Sequence, residues 1–172
     1  MIKIIGSILV IVSASVLGYS SGELFKKRTR ELKELERAIG ILKNEIVYAY
    51  TPLPYALEKI GLRLIEPIKS LFLSISRDLE ENVSEGVYEA FYSNTNLYKK
   101  NLNLNKEDIH ILLNLSKSLG EWDVESQKNI FRVTEEEFRK QIEESETLTR
   151  KNLKMYRYLG FSIGAIIVIM FI

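Results

Sequence analysis

Apolar residues recur at steps of three and four through most of this 172-residue chain, and the pattern gives way near each end to an unbroken apolar run. Between Glu23 and Tyr50, Leu32, Leu35, Ile39, Leu42 and Ile46 mark one stripe, with lysines, arginines and glutamates between them. That spacing predicts a long amphipathic helix with one buried face and one wet face. Pro52 and Pro54 lack amide donors and crowd a preceding helical turn, so the helix should end near Tyr50. Pro54 suits an early position of a short helix carrying Ala56, Leu57 and Ile60, which Gly61 or the residues after it should close. Beyond Glu66 and Pro67 a further helix is expected, with Ile68, Leu71, Phe72, Ile75 and Leu79 on its apolar side.

From Ser84 to about Lys99 the periodicity is weaker but still helical, with Val87, Ala90 and Phe91 on one side and Tyr88 and Tyr92 nearby. Asn105 reads as an N-cap, with Asp108 three residues on completing a capping box. Ile109, Leu112, Leu113, Leu115 and Leu119 form the next apolar face, and Gly120 is a stop signal. After Asp123 neither proline nor glycine occurs until Gly160, which predicts one long final helix. Its stripe runs through Val124, Phe131, Thr134, Phe138, Ile142, Ser145, Leu148 and Asn152, while Glu135 to Glu137 meet Arg139 and Lys140 at helix-neighbour spacing. Nowhere does sustained alternation bounded by hairpin turns suggest a strand. The expected fold is all-α, with the Leu32 to Ile46 stripe packed antiparallel on the Phe138 to Leu148 region and the shorter helices closing a bundle.

SLGEWDVESQ, from Ser118 to Gln127, reads as the corner before that final helix. Gly120 suits a C-cap and Asp123 an N-cap, Trp122 would cover the apolar corner, and Gln127 would tie the new helix to a neighbour. A catalytic loop is the weaker reading.

The terminal runs have membrane dimensions. Residues 2–19 contain one charge and residues 158–172 none; a span of about 17 to 25 residues crosses a hydrocarbon layer of roughly 30 Å, and the second run reaches that length when begun at Tyr156. The expected organisation is a transmembrane helix at 2–19, a helical domain at 23–155 and a second transmembrane helix at 156–172. A cleaved signal peptide at the start is disfavoured, because only Lys3 precedes the apolar core whereas Lys26, Lys27, Arg28 and Arg30 follow it. With Arg150, Lys151, Lys154 and Arg157 flanking the second run, the positive-inside rule puts the middle in the cytoplasm and both termini outside. Those basic flanks suit anionic lipid headgroups. Ala14, Gly18 and Gly22, four apart, and Gly160 with Gly164 would let membrane helices pack closely, against each other, another copy or another protein.

Charge and composition narrow the chemistry. Twenty-four basic against twenty-three acidic residues leave a formal +1, without the broad positive field of a nucleic-acid binder. The chain has no cysteine, which rules out disulfides and thiolate-held metals. His110, the only histidine, has no marked triad or metal partners, and the glutamates at 135–137 and at 143, 144 and 146 read as a solvated helix face. Phosphate-loop, dinucleotide and HExxH strings are missing, so no cofactor is expected and nucleotide chemistry would belong to a partner. Aromatic residues crowd the middle: Tyr48, Tyr50, Tyr55, Phe72, Phe91, Tyr92, Trp122 and Phe131 are expected mostly in the core, and any exposed subset would imply an interface.

Two stretches, EIVYAYTPLPYAL and LLNLSKSLGEWDVESQKNI, carry a resemblance to the stage III sporulation protein AB family of endospore-forming bacteria, and the layout of the whole chain is similar. Glu45, Tyr48, Thr51, Pro52, Leu53, Pro54, Ala56 and Leu57 fit the family's ExxYxxTPLPEAL, with Tyr55 in place of the usual acidic residue. Ser118, Leu119, Gly120, Asp123 and Gln127 fit SLGxxDxxxQ; Ser116 stands where glycine is frequent and Phe91 where tryptophan is usual. The family is in turn similar to the cytoplasmic domain of the inner-membrane platform proteins of type II secretion and type IV pilus systems. That resemblance implies a six-helix cytoplasmic bundle whose long first and last helices continue into the membrane. It also implies a non-enzymatic scaffold in the mother-cell membrane facing the forespore, within a channel complex. The cytoplasmic partner would be the secretion-type ATPase stage III sporulation protein AA, and the membrane partners other complex members. Tyr48, Thr51, Pro52, Pro54, Gly120, Trp122, Asp123 and Gln127 are the structural or partner-contact candidates. An anchored sensor or signalling module is the alternative, and a membrane enzyme acting on lipid or peptidoglycan a more distant one.

Overall fold

The stripe of the first helix is buried as its spacing predicts: Leu32, Leu35, Ala38, Ile39 and Leu42 have no solvent exposure. The computed structural model describes residues 26–119 and 124–171, with the backbone alone at 124–125, 152–154 and 156–171. Helix α1 covers 26–43 and closes in a π-helical turn, Asn44–Tyr48, in which the Ala49 amide donates to the Asn44 carbonyl at 3.1 Å. The chain then reverses through Tyr50, whose φ is +52°. Helix α2, Leu53–Gly61, starts from the extended backbone of Pro52 and places Pro54 in its first turn, where a missing amide costs nothing. A cis Glu66–Pro67 bond precedes α3, Ile68–Glu80. Helices α4, Val87–Leu97, and α5, Lys106–Ser118, follow, and α6 runs unbroken over Val124–Phe171. Among the described residues there are six helices and no strand.

Helix α2 packs on α3, α3 on α4 and α4 on α5. Phe72, Phe91, Phe131 and Phe138 are the largest wholly buried side chains, each worth on the order of 2 kcal/mol in transferred area. Polar side chains of α1 do as much to position the connections. Glu31 and Glu34 are almost fully buried. Glu31 accepts the Asn103 amide at 2.7 Å, between α4 and α5, and Glu34 accepts the Ile65 amide at 3.0 Å, between α2 and α3. Arg37 donates to the Arg63 carbonyl at 2.7 Å. Loop amides lack a helical partner, and a carboxylate satisfies them with a charge-assisted bond. At the other end of α1, Arg28 makes a two-pronged bond to Asp108, at 2.8 Å on each oxygen, and donates to Gln141 at 2.8 Å. Asp108 is wholly buried and also closes the expected capping box, accepting the Asn105 amide while the Asn105 side chain accepts its own.

The antiparallel pairing of α1 with α6 is visible in its ion pairs. Lys43 meets Glu135 at 3.2 Å and Glu36 meets Arg139 at 3.0 Å. The stretch of α6 facing α1 thus begins upstream of Phe138, and Glu135 and Arg139 serve across helices rather than only along their own. Glu136 does keep a local partner, Arg132 at 2.8 Å.

Other sequence expectations shift by helical phase. On α5 the buried set is Asp108, Ile111, Leu112, Leu115, Ser116 and Leu119, while Ile109 and Leu113 are only partly covered. Turning Asp108 inward to Arg28 rotates the helix by about one residue from the face that its leucines suggest. On α6 Phe131, Thr134, Phe138, Ile142 and Ser145 are buried as expected, but Thr149 takes the buried place and Leu148 is exposed. Steps of three and four from Ser145 permit either position, and Thr149 continues the row set by Phe138, Gln141 and Ile142.

By internal contact density the chain divides into two units, Arg28–Glu143, which holds the bundle described above, and Met1–Lys27 with Glu144–Ile172. In the second, α6 continues as one helix to Phe171. Among the described residues no helix is long and apolar enough to cross a membrane, and the apolar run at 2–19 lies outside them.

Candidate protein-interaction site

Four of the aromatic residues expected in the core lie at the surface. Phe72, Phe91 and Phe131 are buried, but Tyr48, Tyr50 and Tyr55 are exposed by 64%, 75% and 54%, and Tyr92 by 46%. The correction has a local cause. The 3.6-residue phase of the Leu32 to Ile46 stripe already turns Tyr48 to the opposite face, and where an unbroken helix would bring Tyr50 back toward the core, the π-helical turn and the positive φ of Tyr50 throw the chain outward into α2. A bulky residue in the left-handed region is costly and must be held there by its surroundings.

Those surroundings are specific. The Thr51 amide donates to the Glu45 carbonyl at 2.9 Å, and the Thr51 hydroxyl donates to the Glu45 carboxylate at 2.9 Å. The other Glu45 oxygen takes Lys59, from the last turn of α2, at 2.6 Å. The hydrogen bond from Lys59, and after it that from Thr51, hold the Glu45 carboxyl below the ordinary value of 4.5. Behind the turn, the buried Ser76 hydroxyl on α3 donates to the Pro54 carbonyl at 2.8 Å. Gly61 lets α2 and α3 approach closely: a Cβ there would stand 2.8 Å from Leu73 Cδ2 and 3.0 Å from its Cγ. The result is a pinned corner that presents three tyrosines and the exposed Pro52.

Of the residues singled out in the sequence, Tyr48, Thr51, Pro52 and Pro54 come together here, Thr51 and Pro54 as fasteners and Tyr48 and Pro52 as surface. Sequence reasoning assigned neither Tyr50 nor Tyr55 to the site, nor Lys59. Their signal was the density of tyrosines around a Pro-x-Pro turn. Gln127 is half-buried on α6. Gly120, Trp122 and Asp123 lie outside the described residues. Ala14, Gly18 and Gly22 lie outside as well, and Gly160 and Gly164 are on the backbone-only part of α6.

Other surface features are less suggestive. His110 is exposed, shares a 3.1 Å contact with Asn114, and lines a cleft of about 470 Å³ with Lys106, Glu107, Glu137 and Lys140, whose charges cancel. Tyr88 and Tyr92 stack at 6.0 Å, and Lys117 lies 5.2 Å above Tyr88, so that pair already has its cation. No group of carboxylates or histidines among the described residues could hold a metal.

Fold and corner together define an all-α bundle protein with an open aromatic surface. Over residues 3–172 the chain matches the stage III sporulation protein AB family, and it belongs to that family. It is similar to the stage III sporulation protein AB of Bacillus subtilis (strain 168), with 26% identity across 99% of both chains. A solved structure of a stage III sporulation protein AB superposes with a TM-score of 0.67 at 25% identity, covering 72% of this chain and 96% of the other. The family assignment supports a role in sporulation.

Proposed function

We propose that this protein is a non-enzymatic membrane scaffold of the mother-cell/forespore channel complex, coupling it to the secretion-type ATPase stage III sporulation protein AA. The observation that carries the reading is family membership over nearly the full chain, joined to a rigid corner of exposed tyrosines suited to holding another protein. In this reading residues 2–19 and 156–172 span the membrane, the domain between them is cytoplasmic and both termini are outside. Basic flanks meet anionic lipid at each span, although Arg28 on the first flank is also engaged by Asp108 and Gln141. The glycine rows pack the spans against each other or against other complex members.

The test is co-purification of the full-length protein, solubilised in mild detergent, with the ATPase. Stable association is expected. Failure to associate both in detergent and in reconstituted membranes would sink the direct coupling.

A further inference from the structure

We propose that the connection between α4 and α5, from Tyr98 to Asn105, is a further lipid contact of this protein, in which Lys99 and Lys100 rest on the anionic surface of the membrane that the chain's two ends enter. The inference rests on the two-span reading above and assigns to it a surface of the bundle itself, apart from the basic flanks of the spans.

Place in the fold is the first ground. Arg28, the first residue of the bundle, donates at 2.8 Å to Gln141, two positions before its last residue, Glu143. The points where the chain enters and leaves the bundle are therefore side by side. Eight residues, 20–27, separate the first apolar run from Arg28, and twelve, 144–155, separate Glu143 from the second, so this end of the bundle is the one tethered to the bilayer. The α4–α5 connection lies at the same end. Glu31, close to Arg28 on α1, accepts the Asn103 amide at 2.7 Å, and Arg28 itself grips Asp108 in the first turn of α5. Lys117 sits 5.2 Å above the ring of Tyr88, which puts the start of α4 beside the end of α5 and the connection between them at the other, tethered end. Lys99 and Lys100 are kept near Asn103 by a turn in which the Leu102 amide donates to the Tyr98 carbonyl at 3.1 Å.

Charge is the second ground. Both lysines are exposed, neither has a carboxylate partner among the described residues, and the chain from Tyr98 to Lys106 holds no acidic residue. The carboxylates around them are mostly occupied. Glu31 is buried with both oxygens on Asn103, and Asp108 is buried on Arg28. Exposed Glu107 and Glu137 share the His110 cleft with Lys106 and Lys140. Glu66, on the α2–α3 connection, accepts the Ser70 hydroxyl at 2.7 Å and has Arg63 on the same connection. Glu143 is engaged within the protein, and Glu144 after it is exposed. Against Glu144 stand Lys99, Lys100 and, on the exposed side of α1, Arg30.

The chemistry of lysine is the third ground. Its ammonium is a hydrated point charge that needs no fixed geometry, which suits a fluid sheet of phosphate headgroups better than the planar, forked recognition that arginine provides. Each lysine brought to an anionic lipid surface strengthens the attraction about fivefold, and the effect fades over a Debye length of about 10 Å at 0.1 M salt. Two such lysines hold the tethered end of the bundle against the headgroups.

The experiment reads that contact in the full-length protein, reconstituted into nanodiscs of phosphatidylcholine alone or with about one third phosphatidylglycerol. A fluorophore on Asn101→Cys, between the lysines and the Asn103 tether, is exposed to lipid carrying a nitroxide on its headgroup. Val83→Cys, exposed on the connection that precedes α4, is the control at the other end of that helix. Quenching at position 101 is expected to be at least about threefold stronger in anionic than in neutral discs at about 0.1 M salt, and to fall to the neutral level at about 1 M. Adding Lys99→Gln and Lys100→Gln should remove about half of it or more, and position 83 should stay unquenched throughout. Equal quenching in the two discs, quenching that survives loss of both lysines, quenching at 83 as strong as at 101, or none at 101 overturns the inference and leaves the two-span reading standing. A label at 101 that lipid does not quench and the purified ATPase shields hands the lysines to a protein partner and overturns it too. Protein that neither disc retains overturns both the inference and the two-span reading.

Discussion

Lys59 Nζ lies 2.6 Å from Glu45 Oε1, joining the last turn of α2 to the π-helical end of α1. Because the contact lowers the Glu45 pKa, its contribution is present above the ordinary carboxylate value of 4.5 and fades as pH falls through the lower value of the folded state. Acidification below about pH 4.5 should therefore loosen the corner before it unfolds the bundle, seen as faster amide exchange at Thr51 in the wild type. A Glu45→Gln variant should show loosened exchange at all pH values and no acid step; an acid step of equal size in both would remove Glu45 from the account.

Asp108 holds Arg28 and its own N-cap from a position with no solvent access. Removing Asp108 takes away the carboxylate that Arg28 holds with two bonds, leaving it Gln141, and opens the capping box, so Asp108→Ala should cost about 3 kcal/mol in urea unfolding of the full-length protein in detergent. Asp108→Asn keeps the shape and part of the cap, and should cost less. Equal losses would mean that the charge is unimportant.

Two helical glycines should respond in opposite directions. At Gly40 an added Cβ meets only the Glu135 carboxylate, at 3.9 Å, so Gly40→Ala should stabilise by roughly 0.5–1 kcal/mol. At Gly61 the same atom overlaps Leu73 and comes within 3.4 Å of its backbone amide. Gly61→Val should destabilise by about 2 kcal/mol and, through α2, weaken the corner. Thermal melts of the two variants check both signs.

Glu34 supplies the acceptor for the Ile65 amide from 31 positions away. Glu34→Ala should leave that amide unpaired and cost about 1–3 kcal/mol, with hydrogen exchange accelerated at Ile65 and unchanged at Asn103, which depends on Glu31. Acceleration at both would show that α1 moves as a whole.

Helices were legible wherever local spacing sets them. The Leu32 to Leu42 row, the Pro52 and Pro54 stop and the Asn105 cap need only neighbours in the chain, and each is found. What was illegible depends on distant partners. Glu31 and Glu34 read as a wet face because the loop amides that bury them are 72 and 31 positions away. The phase of α5 follows from Asp108 turning to Arg28, 80 positions distant, and not from its own leucines. Four motif residues of the candidate corner were named from the sequence, but the surface exposure of Tyr50 and Tyr55 follows from a π-helical turn and a positive φ that apolar periodicity does not encode.

The most direct measurement uses a chain with no natural cysteine. Single cysteines at positions 55 and 92 are labelled with a membrane-impermeant maleimide in intact cells and in inverted membrane vesicles, with and without added ATPase. The scaffold account predicts no labelling in intact cells and labelling of both positions in vesicles without the ATPase. Labelling of either position from outside intact cells would contradict it.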